Sequence, residues 1–222
     1  KVSLFTYQGE NLKMECTLEQ GVYIPLAESI SEKTGGYLVK IEFFQKTEKL
    51  GSCYTAFDVV NCWTEAPRYG FLSSFSEEDK QKEEYQEFFR EMHLNVIQFY
   101  DWMYRHDMLL PPRERYLDPM GRETDLAAIR AKIAACKAAG IRPIAYGAVY
   151  AAAKELFAEH PEWAMYTMDG QAMTFAGWLY YMNIAPSCGW SEHILAEFRK
   201  AVAFGFSGIH MDTYGFPKQV WD

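Results

Sequence analysis

The sequence predicts an α/β fold in which a parallel sheet of about four β/α units follows a β-rich segment. Three observations predict it. From residue 95 onward, short apolar strand-like runs alternate with helical runs. The helical runs stop at Gly140, at "HPEW" and at Gly205, which are ordinary helix terminators. Residues 1–70, in contrast, carry β-branched and aromatic runs with little helical period.

In that first segment "GYLVKIEFF" and "SCYTAFDVV" read as strands about the turn-like "TEKLG". Residues 1–70 are expected to be a β-sandwich (immunoglobulin-like) domain or its end, with a supporting role. In "WTEAPRYGFLSSF", Pro67 and Gly70 are expected to break the strands, so that the second domain covers 71–222. Ser76 is the expected cap of "EEDKQKEEYQEFFREM", whose acidic first turn suits the helix dipole. Tyr85, Phe88, Phe89 and Met92 give that helix one apolar face.

"NVIQFYDW" then reads as the first strand of the alternating region. "TDLAAIRAKIAACKAAG" is a helix with Leu126, Ile129, Ile133 and Cys136 along one stripe. "IRPIAYGAVY" is the second strand, followed by a short helix over 151–159, and "LYYMNIA" is the third. Ser191 is the expected cap of "EHILAEFRKAVAF", and "FSGIHMD" is the fourth strand. The alternation fits either a (β/α)8 barrel or a doubly wound sheet. No GxGxxG or GxxxxGK[ST] loop follows a strand, which weakens nucleotide binding.

Composition narrows the partners. The net charge of -8 disfavours nucleic acid and anionic membranes. No apolar run reaches the length of a membrane span. Aromatic residues make up 16% of the chain, which suits either a packed core or stacking on sugar rings. Cys16, Cys53, Cys62, Cys136 and Cys188 form no CxxC pair, and the five histidines show no HExxH or HxH spacing. No metal site and no cofactor are therefore expected.

Side chains alternate along a strand, so His210 and Asp212 share a face in "GIHMDTYG", with Tyr214 just beyond. A carboxylate at the rim of a parallel sheet is solvated, paired or functional; a helix cap or loop brace is the plain alternative. In the first strand Ile97, Phe99 and Asp101 share a parity, which is expected to bring Asp101 to the same inner rim. The loop beyond it packs Trp102, Tyr104, Arg105, His106 and Asp107 together. An Asp101–Arg105 pair there either grips vicinal hydroxyls or only braces the loop. Tyr146, Tyr150, Asn183 and Trp190 are expected around the same mouth.

Several separated blocks then carry a resemblance. "PRYGFLSSF", "VIQFYDWMYRHDMLLP", "DPMGR", "IAYGAVYAA", "YYMN" and "GFSGIHMDTYG" resemble glycoside hydrolase family 66, in order, over about Ala66–Gly215. The resemblance implies a retaining enzyme acting on α-1,6-glucan or isomaltooligosaccharides, with Asp212 as nucleophile. It implies that Asp101 and Arg105 reach the sugar at the scissile bond, with the other strand-end groups binding substrate. An endo-dextranase is the leading implied activity. The alternatives are a cycloisomaltooligosaccharide glucanotransferase, a non-catalytic glucan binder, and an unrelated barrel hydrolase of α-galactosidase type.

The fold expectation narrows accordingly to the first half of a (β/α)8 barrel behind part of a β-sandwich. A full barrel takes about 250 residues, and about 150 follow the front domain here, room for four units. The family's acid/base glutamate is expected downstream of Asp222, so residues 1–222 alone are expected to be inactive. They are also expected to need the rest of the barrel, or self-association, to cover two open sheet edges. The chain begins at Lys1 without a signal peptide and reads as a trimmed product. A polymeric substrate implies an extracellular or cell-surface enzyme. A cytoplasmic enzyme for imported oligosaccharides is the alternative.

Overall fold

The computed structural model describes residues 2–6, 9–14, 34–81 and 84–212. In chain order the elements are β1 (Val2–Thr6), β2 (Gly9–Met14), β3 (Gly35–Gln45), β4 (Glu48–Val59), β5 (Tyr69–Leu72), α1 (Glu84–Glu91), β6 (Val96–Phe99), β7 (Arg115–Leu117), β8 (Glu123–Asp125), α2 (Leu126–Ala138), β9 (Arg142–Ala148), β10 (Ala151–Ala152), α3 (Lys154–Glu159), β11 (Thr174–Phe175), β12 (Leu179–Tyr181), α4 (Gly189–Phe204) and β13 (Ile209–Asp212). They fall into two units, Lys1–Pro67 and Arg68–Asp222.

The first unit is one antiparallel sheet in the order β2-β1-β3-β4. The long β3–β4 pair sets its register, with a bulge between Phe43 and Phe44. Tyr37 stacks on Phe57 across that pair, with ring centroids 5.2 Å apart. The second sheet that a sandwich requires is not among the described residues.

The second unit is built on a parallel sheet in the order β13-β9-β6-β5. Each new strand is added beside the last, on the same edge. A doubly wound sheet reverses direction at a switch point, and none occurs over these four strands. Here the strand count is corrected. Gly70 does not break a strand but lies inside β5, pressed against Leu94 and Ile97, so the expected boundary after residue 70 cuts through the first parallel strand. "NVIQFYDW" holds the second parallel strand. "LYYMNIA" holds β12, the middle strand of a small antiparallel sheet, β10-β12-β11, inserted between β9 and α4.

The helices cover one face. Ile97, Phe99 and Ala145 point into a core with Ile129 and Ile133 of α2 and Ile194 and Phe198 of α4. Phe99 stacks on Phe75 at 5.3 Å and meets Phe206 edge-on at 5.2 Å. The α2 stripe read from the sequence is buried throughout. Asp125 caps α2, its side chain accepting from Ala127 N at 2.6 Å and Ala128 N at 3.3 Å. Gly140, with φ +76°, supplies the left-handed residue after the helix.

Two expected caps differ. Residues 77–81 form a 3-10 turn in which Asp79 accepts from both Ser76 N and Ser76 Oγ. α4 starts at Gly189, and Ser191 Oγ donates to Ala185 O, closing the preceding loop instead of capping the helix. Gly189 fits because any larger residue would meet the Trp163 ring, only 2.6 Å from where a Cβ would stand.

Gly147 is equally crowded: a Cβ would lie 2.6 Å from Phe198 Cε1 on α4. Gly147→Ala is expected to cost about 1–3 kcal/mol through overpacking. Trimming the ring in a Gly147→Ala/Phe198→Leu double variant should return part of that loss. Thermal denaturation of the four proteins checks it, and strictly additive losses would show that the contact does not control the packing of α4.

Candidate active site

The face of the sheet away from the helices carries Tyr69, Gln98, Tyr146, His210 and Asp212. The register puts His210 beside Tyr146 and Asp212 beside Ala148, and Gln98 beside Phe71 and Ile144. Tyr69 Oη donates to Gln98 Oε1 at 2.6 Å and lies 2.7 Å from His210 Nδ1. With the phenol proton given to Gln98, Nδ1 carries the hydrogen of the second bond. Tyr146 stacks on His210, with centroids 6.1 Å apart and planes within 18°. Its hydroxyl donates to Asp212 Oδ2 at 2.7 Å. Burial, and next the Asp212 carboxylate, push the Tyr146 phenol above its ordinary range, so it stays a proton donor.

This face corrects the expected parity of the second parallel strand. Gln98, not Ile97 or Phe99, shares the side of His210 and Asp212. Asp101 nevertheless reaches the site, because β6 ends at Phe99 and Asp101 adopts a left-handed φ of +51°. That conformation is uncommon for a residue other than glycine. The turn places Asp101 with Asp212, Tyr146, Tyr100 and His106 around a cavity of about 170 Å³.

The partner of Asp101 is Arg122, not Arg105. Arg122 Nη2 lies 3.1 Å from Asp101 Oδ2, and its Nε lies 2.6 Å from Asp118 Oδ2. Asp118 Oδ1 accepts from Met120 N and Arg122 N, each at 2.9 Å. "DPMGR" is therefore a turn wound on Asp118 that aims one guanidinium at Asp101. Burial raises the Asp101 carboxyl above its usual range, and Arg122 opposes the rise.

Arg105 instead sits 3.4 Å from Asp107 and 3.7 Å from Glu155, bracing its own loop against α3. That loop is tied down further: Leu109 N donates to the buried Glu197 of α4 at 2.8 Å, and His193 Nε2 lies 2.7 Å from Asp107 O. Trp102 is fully buried, its indole donating to Tyr146 O at 3.1 Å; it anchors the loop to β9 and has no face for a sugar. Trp190 is likewise buried, donating to Val149 O at 3.0 Å. Tyr150 packs on Tyr181 below the rim, with rings 5.2 Å apart. Asn183 Oδ1 accepts from Ala185 N at 2.9 Å and shapes a turn. Tyr104 packs edge-on against Tyr116 and lines two neighbouring cavities, not that of Asp212. Tyr214 lies outside the described residues.

The aromatic rim comes from elsewhere. Residues 174–181 form the β11–β12 hairpin, turned by Ala176 and Gly177 with φ of +51° and +78°. It holds Phe175 and Trp178 at the cavity edge, both exposed. Tyr100 meets Tyr146 edge-on at 4.9 Å and is also exposed. Sequence reading missed Arg122 and Trp178; the turn signals "DPMG" and "AG" were the available clues. Among the described residues no three His, Cys, Asp or Glu side chains group as metal ligands, and no helix is long and apolar enough to cross a membrane.

His106 is buried between Tyr146 and Trp178, 6.2 and 6.0 Å from their rings. Burial lowers its pKa from 6.5 to about 4 against the pull of Asp212, so it is neutral at pH 7. Its contribution is therefore intact above the unfolded-state value of 6.5 and is lost as pH falls toward 4. On acidification from pH 7 to 4, denaturant unfolding should show a loss on the order of 3 kcal/mol that is absent from His106→Gln. Parallel losses in the two proteins would assign the acid sensitivity elsewhere.

With this geometry in view, three similarities bear on the chain. The model of glycosyl hydrolase family 66 matches residues 17–222. Two cycloisomaltooligosaccharide glucanotransferases of Niallia circulans are 29% and 28% identical over 204 and 205 residues, each alignment covering 84% of this chain. The crystal structure of a Paenibacillus sp. cycloisomaltooligosaccharide glucanotransferase complexed with cycloisomaltoheptaose superposes with a TM-score of 0.70 at 29% identity, covering 85% of this chain and 29% of that one. The chain spans about a fifth of the length of the curated relatives, 21% of each.

Proposed function

The chain belongs to glycosyl hydrolase family 66, and from that membership we propose that it carries the nucleophile side of a retaining site for α-1,6-linked glucan. The observation that carries the reading is Asp212 at the C-terminal end of β13, held by Tyr146 inside an aromatic-rimmed cavity. The same-edge winding of β5, β6, β9 and β13 supports the further reading that these strands are half of a (β/α)8 barrel, whose active residues gather at that end.

The proposed chemistry runs in two displacements. An oxygen of Asp212 bonds to the anomeric carbon while the bond from that carbon to the leaving oxygen breaks. The leaving oxygen takes a proton from a carboxylic acid, which the reading assigns to the part of such proteins that this chain does not span. Water or a sugar hydroxyl then gives its proton to the carboxylate left by that acid and attacks the same carbon from the opposite face, and the Asp212 carboxylate departs, so configuration is retained. Tyr146 fixes the rotation of the carboxylate and stabilises the charge it regains in the second step. Asp101, steadied by Arg122, is placed to accept hydrogen bonds from sugar hydroxyls, and Trp178 and Phe175 to stack on ring faces.

The acceptor decides between two outcomes. Endo-dextranase-like hydrolysis uses water. Transfer to a sugar hydroxyl is favoured by one observation, that the relatives at 28–29% identity are glucanotransferases. Digestion of dextran by the complete protein, followed by mass spectrometry, separates them: linear products gain one water per cleavage and cyclic products gain none. A polymeric substrate would support the further proposal that the complete enzyme works outside the cell or on its surface.

Two substitutions in the complete protein test the site. Asp212→Gly should lower activity by about 10³-fold or more, and azide should partly restore cleavage of an activated glucoside, giving the inverted azide product. A slow fluorinated glucoside should label the wild-type peptide containing "GIHMDTYG"; label on another peptide would remove Asp212 as nucleophile. Arg122→Lys loses the planar fork between Asp101 and Asp118 and should cut kcat/KM by about tenfold or more, whereas Arg105→Lys should change it by less than about threefold. Equal losses would return Arg105 to the site.

A further inference from the structure

A larger cavity, of about 670 Å³, lies between the β7–β8 hairpin and the loop after β6. It contains no residue of the Asp212 cavity, but a third cavity shares lining residues with both. An intermediate cavity of about 250 Å³ shares His106, Pro119, Trp178 and Leu179 with the Asp212 cavity. It shares Tyr104 and Leu117 with the large one. The three follow one another along common walls.

The chemistry of the large cavity suits a neutral polyhydroxyl ligand. Tyr104, Tyr116, Pro112 and Leu117 give it apolar surface on which the C–H faces of a sugar can lie. Its charges are mixed and largely engaged with each other: Arg115 is paired with Glu77 at 2.5 Å and lies 3.4 Å from Asp125. A phosphate would meet Glu77, Glu123 and Asp125; a cation would meet Arg113 and Arg115. A sugar hydroxyl can both donate and accept, so it tolerates both signs.

We propose that this cavity is a remote binding site for the same oligosaccharide, reached through the intermediate cavity, so that a chain bound at Asp212 continues past Trp178 and Leu117 to the β7–β8 hairpin. The site rests on the α-1,6-glucan reading above and adds to it a dependence on chain length. Short oligosaccharides fill only the Asp212 end, and longer ones gain the contacts of the hairpin.

The test uses the complete protein carrying Asp212→Asn, so that ligand is bound without turnover, with and without Arg113→Ala/Leu117→Ala. Both of the added positions are exposed, and equal melting temperatures check that the fold is kept. Calorimetry is run with isomaltotriose and isomaltoheptaose. Isomaltoheptaose should bind about tenfold or more tighter than isomaltotriose, and the double change should reduce that advantage to less than about threefold while isomaltotriose binding stays the same. Equal affinity for the two lengths, a length advantage that survives the double change, or failure to bind either sugar would overturn the proposal. Length-dependent binding by a protein whose parent cleaves no α-1,6-glucan would uphold the remote site and refute the proposed activity.

Discussion

The unit from Arg68 onward depends on one constraint: its parallel sheet packs helices against a single face. Alternation along each strand then gives every β6, β9 and β13 residue one of two roles. Ile97, Phe99, Ala145 and Ile209 join the helix-facing core. Gln98, Tyr146, His210 and Asp212 are left on the other face, where polar groups must find one another or water. The bonds Tyr69–Gln98, Tyr69–His210 and Tyr146–Asp212 answer that requirement across four adjacent strands. One of them, Tyr146–Asp212, also fixes the rotation of the Asp212 carboxylate, so under the proposed function a bond that the fold requires would serve the chemistry as well.

The same constraint explains what the sequence made legible. Asp212 was readable because it ends a strand whose alternation is clean, with His210 two residues before it. The α2 stripe was readable because Leu126, Ile129, Ile133 and Cys136 repeat at helical spacing and have only the sheet to bury against. Asp101 does lie beside the Asp212 cavity, but not by the route that strand parity predicts. Counting from Ile97 and Phe99 puts it on the Asp212 face, but those two residues face the helices. What delivers Asp101 is a left-handed turn after the strand ends, and no periodicity encodes a single backbone reversal.

Residues in the loop after β6 resisted reading for a different reason. Trp102, Arg105 and Asp107 have the types expected of a sugar site, yet burial turns Trp102 and Asp107 inward, and Arg105, half-buried at the edge of the intermediate cavity, is engaged by Asp107 and Glu155. An indole with its N–H on a strand carbonyl, and a guanidinium between two carboxylates, are anchors whatever their types suggest. Arg122 and Trp178 are the converse. Both follow tight turns, at Gly121 and Gly177, whose sequence signals say that the chain reverses but not toward what. Long-range placement of this kind depends on which strand the loop returns over, which residue spacing does not contain.

The loops thus divide the labour in a way that the sheet does not. The sheet supplies a carboxylate whose position is fixed by register and by Tyr146. The loop after β6 is made rigid by Glu197 and His193 of α4, so the turn that carries Asp101 rests on a helix two crossovers away. The hairpins, by contrast, present exposed aromatic and aliphatic tips: Trp178 and Phe175 on one, Leu117 on the other. A site built this way can change what it binds by changing hairpins while Asp212 stays where it is, because no bond of the Tyr69–Gln98–His210 and Tyr146–Asp212 set passes through them. Under the proposed function, recognition of chain length and acceptor would be a property of the loops, and the position of bond cleavage a property of the sheet.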